Sequence, residues 1–260
     1  MKKLTILMTF FVLLSSCYRV TDALIDGALG GAGRAVSERA ANAVYKKLAP
    51  KEKLPDPSTM AWNQYMISQA QIIFSYSFAP GGLWVSNNSF DPGEYTKFKM
   101  TDDSENSITI ERAYLKKLEN GNQWWRTSWE EEDDKWIYEA LISADDGQLL
   151  RLRARDIDGN EGEVPVTDQA ITISPTTVSE ESIEAATVGT KTIESPAGTF
   201  QTDHVHYMAV QTDGAIDWWI SDEVPGGVVK YQLTDKDDEI VWTNLLIEKG
   251  SGATTILNSF

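Results

Sequence analysis

Residues 107–155 have the sequence SITIERAYLKKLENGNQWWRTSWEEEDDKWIYEALISADDGQLLRLRAR, and this stretch decides the fold. Runs rich in aromatic and β-branched residues alternate there with short polar segments that contain Asn-Gly, Asp-Asp and Asp-Gly pairs. Such runs are typical of strands, and such pairs are typical of hairpin turns. Strands are therefore predicted at 107–118, 123–130, 135–143 and 148–155. Because the turns are short, sequential strands are expected to be antiparallel neighbours.

The same pattern extends to both sides of this stretch. Further strands are predicted at 70–78, 83–87, 94–100, 190–194, 199–211, 215–221, 227–233 and 239–248, and a short helix at 179–186. Roughly a dozen antiparallel strands accumulate twist until the sheet curls, splits or closes. The predicted fold is mainly β, a curved antiparallel meander resembling half of a barrel, with an N-terminal helix and a short mid-chain helix.

The N-terminal helix is predicted from residues 21–48, where apolar side chains recur at helical spacing. Pro50 ends this pattern. In one interpretation the helix docks on the following sheet, and in the other it lies on a membrane surface. Docking is favoured because the polar face of the segment has few basic residues.

The first residues of the chain predict where the protein is located. Lys2 and Lys3 precede an apolar run at 4–14, which has the pattern of a signal peptide and is too short to span a bilayer. Residues 14–17, LSSC, resemble the lipobox of bacterial lipoproteins. The resemblance implies cleavage before Cys17 and a lipid anchor on its thiol, with acyl chains such as palmitate, so that a membrane is one partner.

Two further observations bear on this anchor. The alternative is an ordinary signal peptide and an unmodified, buried Cys17, although this residue is the single cysteine of the chain. Tyr18 stands where an aspartate marks inner-membrane retention in enteric bacteria, so the resemblance implies the outer membrane. The expected division is a signal peptide at 1–16, a lipid-anchored tether and amphipathic helix at 17–57, and one β-rich domain at 58–260.

A second resemblance lies in the C-terminal part of the chain. Residues 195–200 (SPAGTF), 217–221 (DWWIS) and 224–231 (VPGGVVKY) resemble a pattern of envelope proteins that are similar to the lipoprotein-carrier half-barrels. In such chains a strand ending in Trp-x-Ser leads through a Pro/Gly turn into a Val-Lys strand of the same sheet. The resemblance implies a half-barrel whose concave face holds acyl chains.

Composition and motifs exclude several function classes. The 260 residues include 23 Lys+Arg and 39 Asp+Glu, giving a net charge of −16 and no basic cluster, which argues against a nucleic-acid partner. One cysteine excludes an intramolecular disulfide. The sequence contains no nucleophile-elbow, zinc-protease or phosphate-loop motif. We therefore expect neither an enzyme nor a bound cofactor.

Two tryptophan pairs are the predicted binding residues. Neighbouring side chains of a strand point to opposite faces, so Trp124 and Trp125 cannot share a face, and neither can Trp218 and Trp219. A sheet that is apolar on both sides needs a second cover. A partner protein or an apolar ligand is one such cover, and packed helices and loops are the alternative.

Two polar clusters are candidate metal sites. His204 and His206 share one face of a predicted strand, with Asp203 or Asp217 as a third ligand, but a structural or solvent-facing pair is favoured. Residues 156–160, DIDGN, begin like a calcium loop, but the glycine is misplaced, and a turn is favoured. No metal is predicted.

The sequence therefore indicates an envelope lipoprotein that binds a partner protein or an apolar ligand through an aromatic-lined β-sheet. The alternative is a non-catalytic surface scaffold without a ligand cavity, in which residues 18–48 dock a neighbouring protein.

Overall fold

The structure is a computed structural model that describes residues 54, 56–78, 90–166, 179–209 and 214–260. Cys17, the helix predicted at 21–48 and the strand predicted at 83–87 lie outside the described residues. Within the described ranges, no helix is long and apolar enough to cross a membrane.

Eleven strands of the described residues form a single antiparallel sheet, which confirms the mainly β prediction. The strands are β1 (Tyr95–Asp102), β2 (Ser107–Lys117), β3 (Gln123–Glu131), β4 (Asp134–Ile142), β5 (Leu149–Arg155), β6 (Glu161–Val164), β7 (Thr187–Ser195), β8 (Gly198–Ala209), β9 (Gly214–Ile220), β10 (Val228–Thr234) and β11 (Ile240–Gly250). Two helices complete the described elements, α1 (Met60–Phe78) and α2 (Glu180–Ala186). The short mid-chain helix is thus confirmed, and Ser179 caps it by accepting a hydrogen bond from the Ser182 amide.

The order of the strands differs in one respect from a simple meander. The sheet order is β6-β5-β4-β3-β2-β1-β11-β10-β9-β8-β7, so every sequential pair is adjacent except β6 and β7. We call β1–β6 the first half of the sheet and β7–β11 the second half. They join where the first strand pairs with the last. The chain between β6 and β7 contains α2, which makes it too long for a hairpin turn, and it connects the two opposite edges of the sheet.

The prediction of a strand at 70–78 is wrong, because these residues form the C-terminal part of helix α1. Its aromatic and isoleucine-rich end fits a buried strand as well as a buried helix, and periodicity alone does not separate the two. Thr59 caps the start of the helix, since its hydroxyl accepts a hydrogen bond from the Trp62 amide. Trp62, Met66, Ala70 and Ile73 then recur at spacings of three and four and are fully buried.

Helix α1 packs on one face of the sheet, which we call the inner face. Tyr138 of β4 donates to the Met66 carbonyl at 3.1 Å, and the Trp136 indole donates to the Tyr65 hydroxyl at 3.0 Å. At the start of the helix, the Trp62 indole donates to Asp156 at 2.8 Å. These bonds hold an aromatic core in which burial of each large ring is worth about 2–3 kcal/mol.

The same Asp156 explains the segment 156–160. Its carboxylate accepts from the backbone and side-chain amides of Asn160, and its backbone pairs with Asn160 and Gly159. The segment is the hairpin turn between β5 and β6, which confirms the interpretation as a turn. Strand β6 itself was missed because its four residues, EGEV, are too short for an alternating pattern.

The opposite face, the outer face, is covered in the first half by the chain's own C-terminal tail, residues 251–260. Leu257 of the tail is fully buried. Glu139 of β4 holds the tail on the sheet. It is fully buried and accepts hydrogen bonds from the Thr255 and Ser259 hydroxyls and from the Ile256 amide. Arg126 of β3 donates to the Thr254 carbonyl at 2.6 Å. The tail therefore shields the outer face of strands β3 and β4 from solvent.

Alkaline pH is expected to destabilise this aromatic core. Burial raises the pKa of Tyr76 to about 12, above its ordinary value near 10. A raised tyrosine pKa favours the neutral folded form, so its contribution is complete below pH 10 and is lost as the pH rises towards 12. The midpoint of urea denaturation should fall over this window. In Tyr76→Phe the free energy of unfolding should fall less steeply with pH, by the equivalent of one proton, about 1.4 kcal/mol per pH unit. Identical slopes for the two proteins would contradict the assignment.

Candidate functional site

The first tryptophan pair lies on the two faces of β3, as the alternation requires. Trp125 faces the inner core, where its ring stacks on Tyr114 with centroids 4.6 Å apart and the Arg112 guanidinium lies 4.4 Å from its centre. Trp124 faces outward beneath the tail, with the Phe260 ring 5.6 Å away and the Arg151 guanidinium 5.5 Å away. Both tryptophans are buried by groups of the chain itself.

The second pair divides in the same way on β9. Trp218 belongs to the inner face, between Tyr207 at 5.2 Å and Tyr231 at 6.4 Å. Trp219 belongs to the outer face and stacks on His204, with centroids 4.8 Å apart and planes 8° apart. The prediction that each pair divides between the two faces is therefore confirmed. The predicted role of the four tryptophans in binding stays a prediction.

The structure brings His204 and His206 together with Asp217, on the outer face of the second half. The His204 Nε2 atom lies 2.6 Å from Asp217 Oδ1, and the His206 Nδ1 atom lies 2.9 Å from the same oxygen. Asp203, the other predicted neighbour, is exposed and alternates to the opposite face of β8. The two imidazoles thus converge on one carboxylate oxygen, which fixes both rings. Among the described residues no three His, Cys, Asp or Glu side chains form a metal-binding group.

Two lysines complete this outer cluster, and sequence reasoning missed both. The Lys230 ammonium of β10 lies 4.5 Å from the Trp219 ring centre, and the Lys191 ammonium of β7 lies 5.8 Å from it. Lys230 lies directly opposite Trp219 in the pairing of β9 with β10, and Lys191 reaches the ring from β7, two strands from β9. Burial lowers the pKa of Lys230, and repulsion by Lys191 lowers it further, against the attraction of Asp217.

The rest of this outer face carries exposed apolar side chains. Met208 of β8 and Ile240 of β11 are 61% and 49% exposed, and their backbones belong to one row that crosses β9 and β10 through Ala215 and Thr234. His206 lies two residues before Met208 on the same side of β8. We call this surface, formed by His206, Met208 and Ile240, the open outer face.

A cavity of about 390 Å³ lies near the β7 edge of the sheet. Its lining is mostly polar and includes Gln201, Thr202, Asp203, Asp222 and Glu223. Carboxylates and amides of this kind suit water or polar groups better than an acyl chain.

Comparisons with known proteins give distant similarities. No family model matches the chain, and no curated protein matches it. A chain in the structure of the MucA/MucB complex from Pseudomonas aeruginosa is 11% identical in sequence. The match covers 66% of this chain and 56% of that one, with a TM-score of 0.41. The chain thus spans little more than half of that protein's length. A protein assigned as a lipoprotein from Parabacteroides distasonis is 13% identical over 65% and 99% of the two chains, with a TM-score of 0.31. A protein assigned as exported, with a YmcC-like fold, from Bacteroides fragilis is 12% identical over 65% and 99%, with a TM-score of 0.35.

Proposed function

We propose that the chain is a lipid-anchored envelope protein, placed at the outer membrane, that binds a partner protein through the open outer face. The observation that carries the proposal is the difference between the two halves of the outer face. The tail at 251–260 lies over β3 and β4 of the first half and keeps its own Ile256 and Phe260 41% and 48% exposed, whereas the exposed Met208 and Ile240 of the second half belong to the strands themselves. Exposed apolar side chains beside polar groups such as His206 are typical of protein interaction sites. The proposal includes no catalytic activity.

The tail also indicates the kind of partner. It covers the first half as an irregular extended segment whose backbone is bonded by Glu139 and Arg126. The open outer face likewise offers a polar side chain, His206 held by Asp217, between the apolar residues Met208 and Ile240. A partner segment with apolar side chains and a free backbone would repeat this arrangement. An apolar ligand is less well supported, because Trp125 and Trp218 are packed against rings of the chain itself.

Replacement of Met208 tests the partner site. A photocrosslinking side chain at Met208 should give one discrete adduct in native cells, and the additional substitution His206→Ala should weaken it several-fold. Met60 is the matched control, since it is 78% exposed but lies at the start of α1. An adduct of the same mass from both positions, or none from Met208, would contradict the proposal.

Cys17→Ser tests the anchor. Stable attachment needs two or more acyl chains, so loss of the thiol is expected to move the protein from the membrane pellet to the soluble fraction. Ser16→Ala keeps a small residue before Cys17 and should leave the protein in the pellet. Continued pelleting of Cys17→Ser would defeat the lipoprotein assignment while leaving the partner site untouched.

A further inference from the structure

We propose that the outer face of β3, β4 and β5 is a groove for an extended segment of a partner protein, and that the tail at 251–260 is its displaceable occupant. We call this surface the tail groove. The segment that fits has the pattern of residues 255–259 of the tail: a hydroxyl residue, an apolar residue, leucine, any residue and a second hydroxyl residue. The tail groove lies in the first half of the sheet, so this proposal does not rest on the open outer face.

The first argument is Glu139, whose hydrogen bonds go to the tail. Its carboxylate is fully buried and accepts from the Thr255 and Ser259 hydroxyls and from the Ile256 amide. Among the described residues, no donor to this carboxylate belongs to the sheet. A buried carboxylate is costly unless donors meet it, and here a bound segment supplies them. Glu139 therefore serves the occupant of the groove and not the sheet.

The second argument is that the sheet presents fixed donors to the backbone of the tail. Three arginines donate to tail carbonyls at 2.6, 3.3 and 3.2 Å: Arg126 to Thr254, Arg151 to Ser259 and Arg155 to Ile256. Each is also ion-paired with a glutamate of a neighbouring strand, respectively Glu111, Glu163 and Glu161. These ion pairs do not involve the tail, so the donors stay oriented when the tail leaves. Donors that are fixed in advance lower the entropic cost of binding a segment.

The third argument is that the tail is held less firmly than a strand. From Thr254 onward, its described hydrogen bonds to the sheet all involve side chains. Ile256 and Phe260 are half exposed, which leaves Leu257 as the one fully buried side chain among the apolar residues of the tail. Asn258 has a φ of 53°, in the left-handed region that is strained for a residue with a side chain. Segments with few buried apolar contacts open locally without global unfolding.

Release of the tail uncovers an apolar surface. Trp124 is 2% exposed, and the Phe260 ring of the tail lies 5.6 Å from its ring. Trp124 forms a small apolar cluster with Ala113 and Leu115, against which Ala253 of the tail packs. Uncovered clusters of this kind are typical of sites that bind apolar side chains of a partner. Trp124, which the sequence predicts as a binding residue, therefore gains exposure when the tail leaves.

Binding of a labelled synthetic peptide with the sequence of residues 253–260, ATTILNSF, tests the groove. Leu257→Asp in the full chain puts a charge at a buried position whose amide lies 3.4 Å from Glu139, and should release the tail. We expect saturable binding to this variant, at least tenfold tighter than to the wild type, whose own tail is present at a high effective concentration. Ile256→Asp is the matched control. It puts the same charge at a half-exposed position, so the tail stays bound and the peptide binds as weakly as to the wild type.

Changes in the peptide test the pattern. Aspartate in place of the residue that matches Leu257, or alanine in place of those that match Thr255 and Ser259, should weaken binding at least tenfold. Glycine in place of the residue that matches Asn258 should leave the affinity within twofold, because this side chain is exposed and a positive φ suits glycine. Equal affinities for all these peptides, or no binding to a natively folded Leu257→Asp protein, would overturn the proposal.

Hydrogen exchange of the wild-type protein decides the matter even where Leu257→Asp does not fold. Saturating peptide should speed exchange of the Ile256 and Leu257 amides of the protein at least fivefold, because the peptide takes the place of the tail on Glu139. The amides of β3 and β4 should be unaffected. A tail that is a fixed part of the fold would show no response to the peptide, and that result would refute its role as a displaceable occupant.

Discussion

Glu139→Ala is expected to lower the free energy of unfolding by about 3–5 kcal/mol, since it removes a buried charge that several donors depend on. The Glu139 carboxylate is fully buried and accepts from Thr255, Ile256 and Ser259 of the tail. Its register neighbours Arg126 and Arg153 have carboxylate partners of their own, Glu111 and Glu163, so the loss falls on the donors of the tail. Urea denaturation measures the change.

Hydrogen exchange separates loss of the tail from general destabilisation. In Glu139→Ala the Ile256 amide should exchange faster than the amides of β3, because its acceptor is gone. Glu130→Ala is the matched control on the same strand face as Arg126, where the exposed ion pair with Lys135 is worth less than about 1 kcal/mol. Equal effects of the two substitutions would refute the role of Glu139.

Trp62→Ala is expected to cost a similar amount, about 3–5 kcal/mol, by emptying the contact between α1 and the sheet. The Trp62 ring is fully buried, and its nitrogen donates to Asp156. A Cβ atom added at Gly162 would approach the ring to 3.0 Å, so the indole and β6 are in close contact. The thermal midpoint and the urea midpoint both measure the loss.

A double-mutant cycle gives this contact a sharper test. Gly162→Ala alone should destabilise by about 1–3 kcal/mol through overlap with the indole, and in the Trp62→Ala background the penalty should fall, because only the 3.1 Å contact with the Ser58 hydroxyl remains. Met60→Ala, an exposed position of the same helix, should change stability by less than about 0.5 kcal/mol. Additive effects of Gly162→Ala and Trp62→Ala would show that the two residues do not interact.

Much of the sheet could be predicted, because its strands are bounded by strong turn signals. The hairpins around Gly121 and Gly147 place both glycines at positive φ, a conformation that other residues rarely adopt. The C-terminal end of α1 could not be predicted, since Ile72, Ile73 and Phe74 suit a strand or a helix and only tertiary packing decides. The pairing of β1 with β11 links residues about 150 positions apart, and no local pattern encodes it.

The outer cluster could be predicted in part. The alternation of β8 places His204 and His206 on one face, and the registers of β8 and β9 then bring Asp217 to them. Lys230 lies opposite Trp219 in the register of β9 and β10, whereas Lys191 reaches the ring from β7, two strands away, which sequence spacing does not reveal. Glu139 could not be singled out among the 39 acidic residues, because its partners lie in a tail that has no strand or helix pattern.

The pairing of β1 with β11 has a consequence for biogenesis. Until the last strand has been synthesised, β1 has an unpaired edge at what will become the middle of the sheet. A nascent chain in that condition is open to pairing with other polypeptides. The central seam between β1 and β11 therefore forms only after β11 has been synthesised.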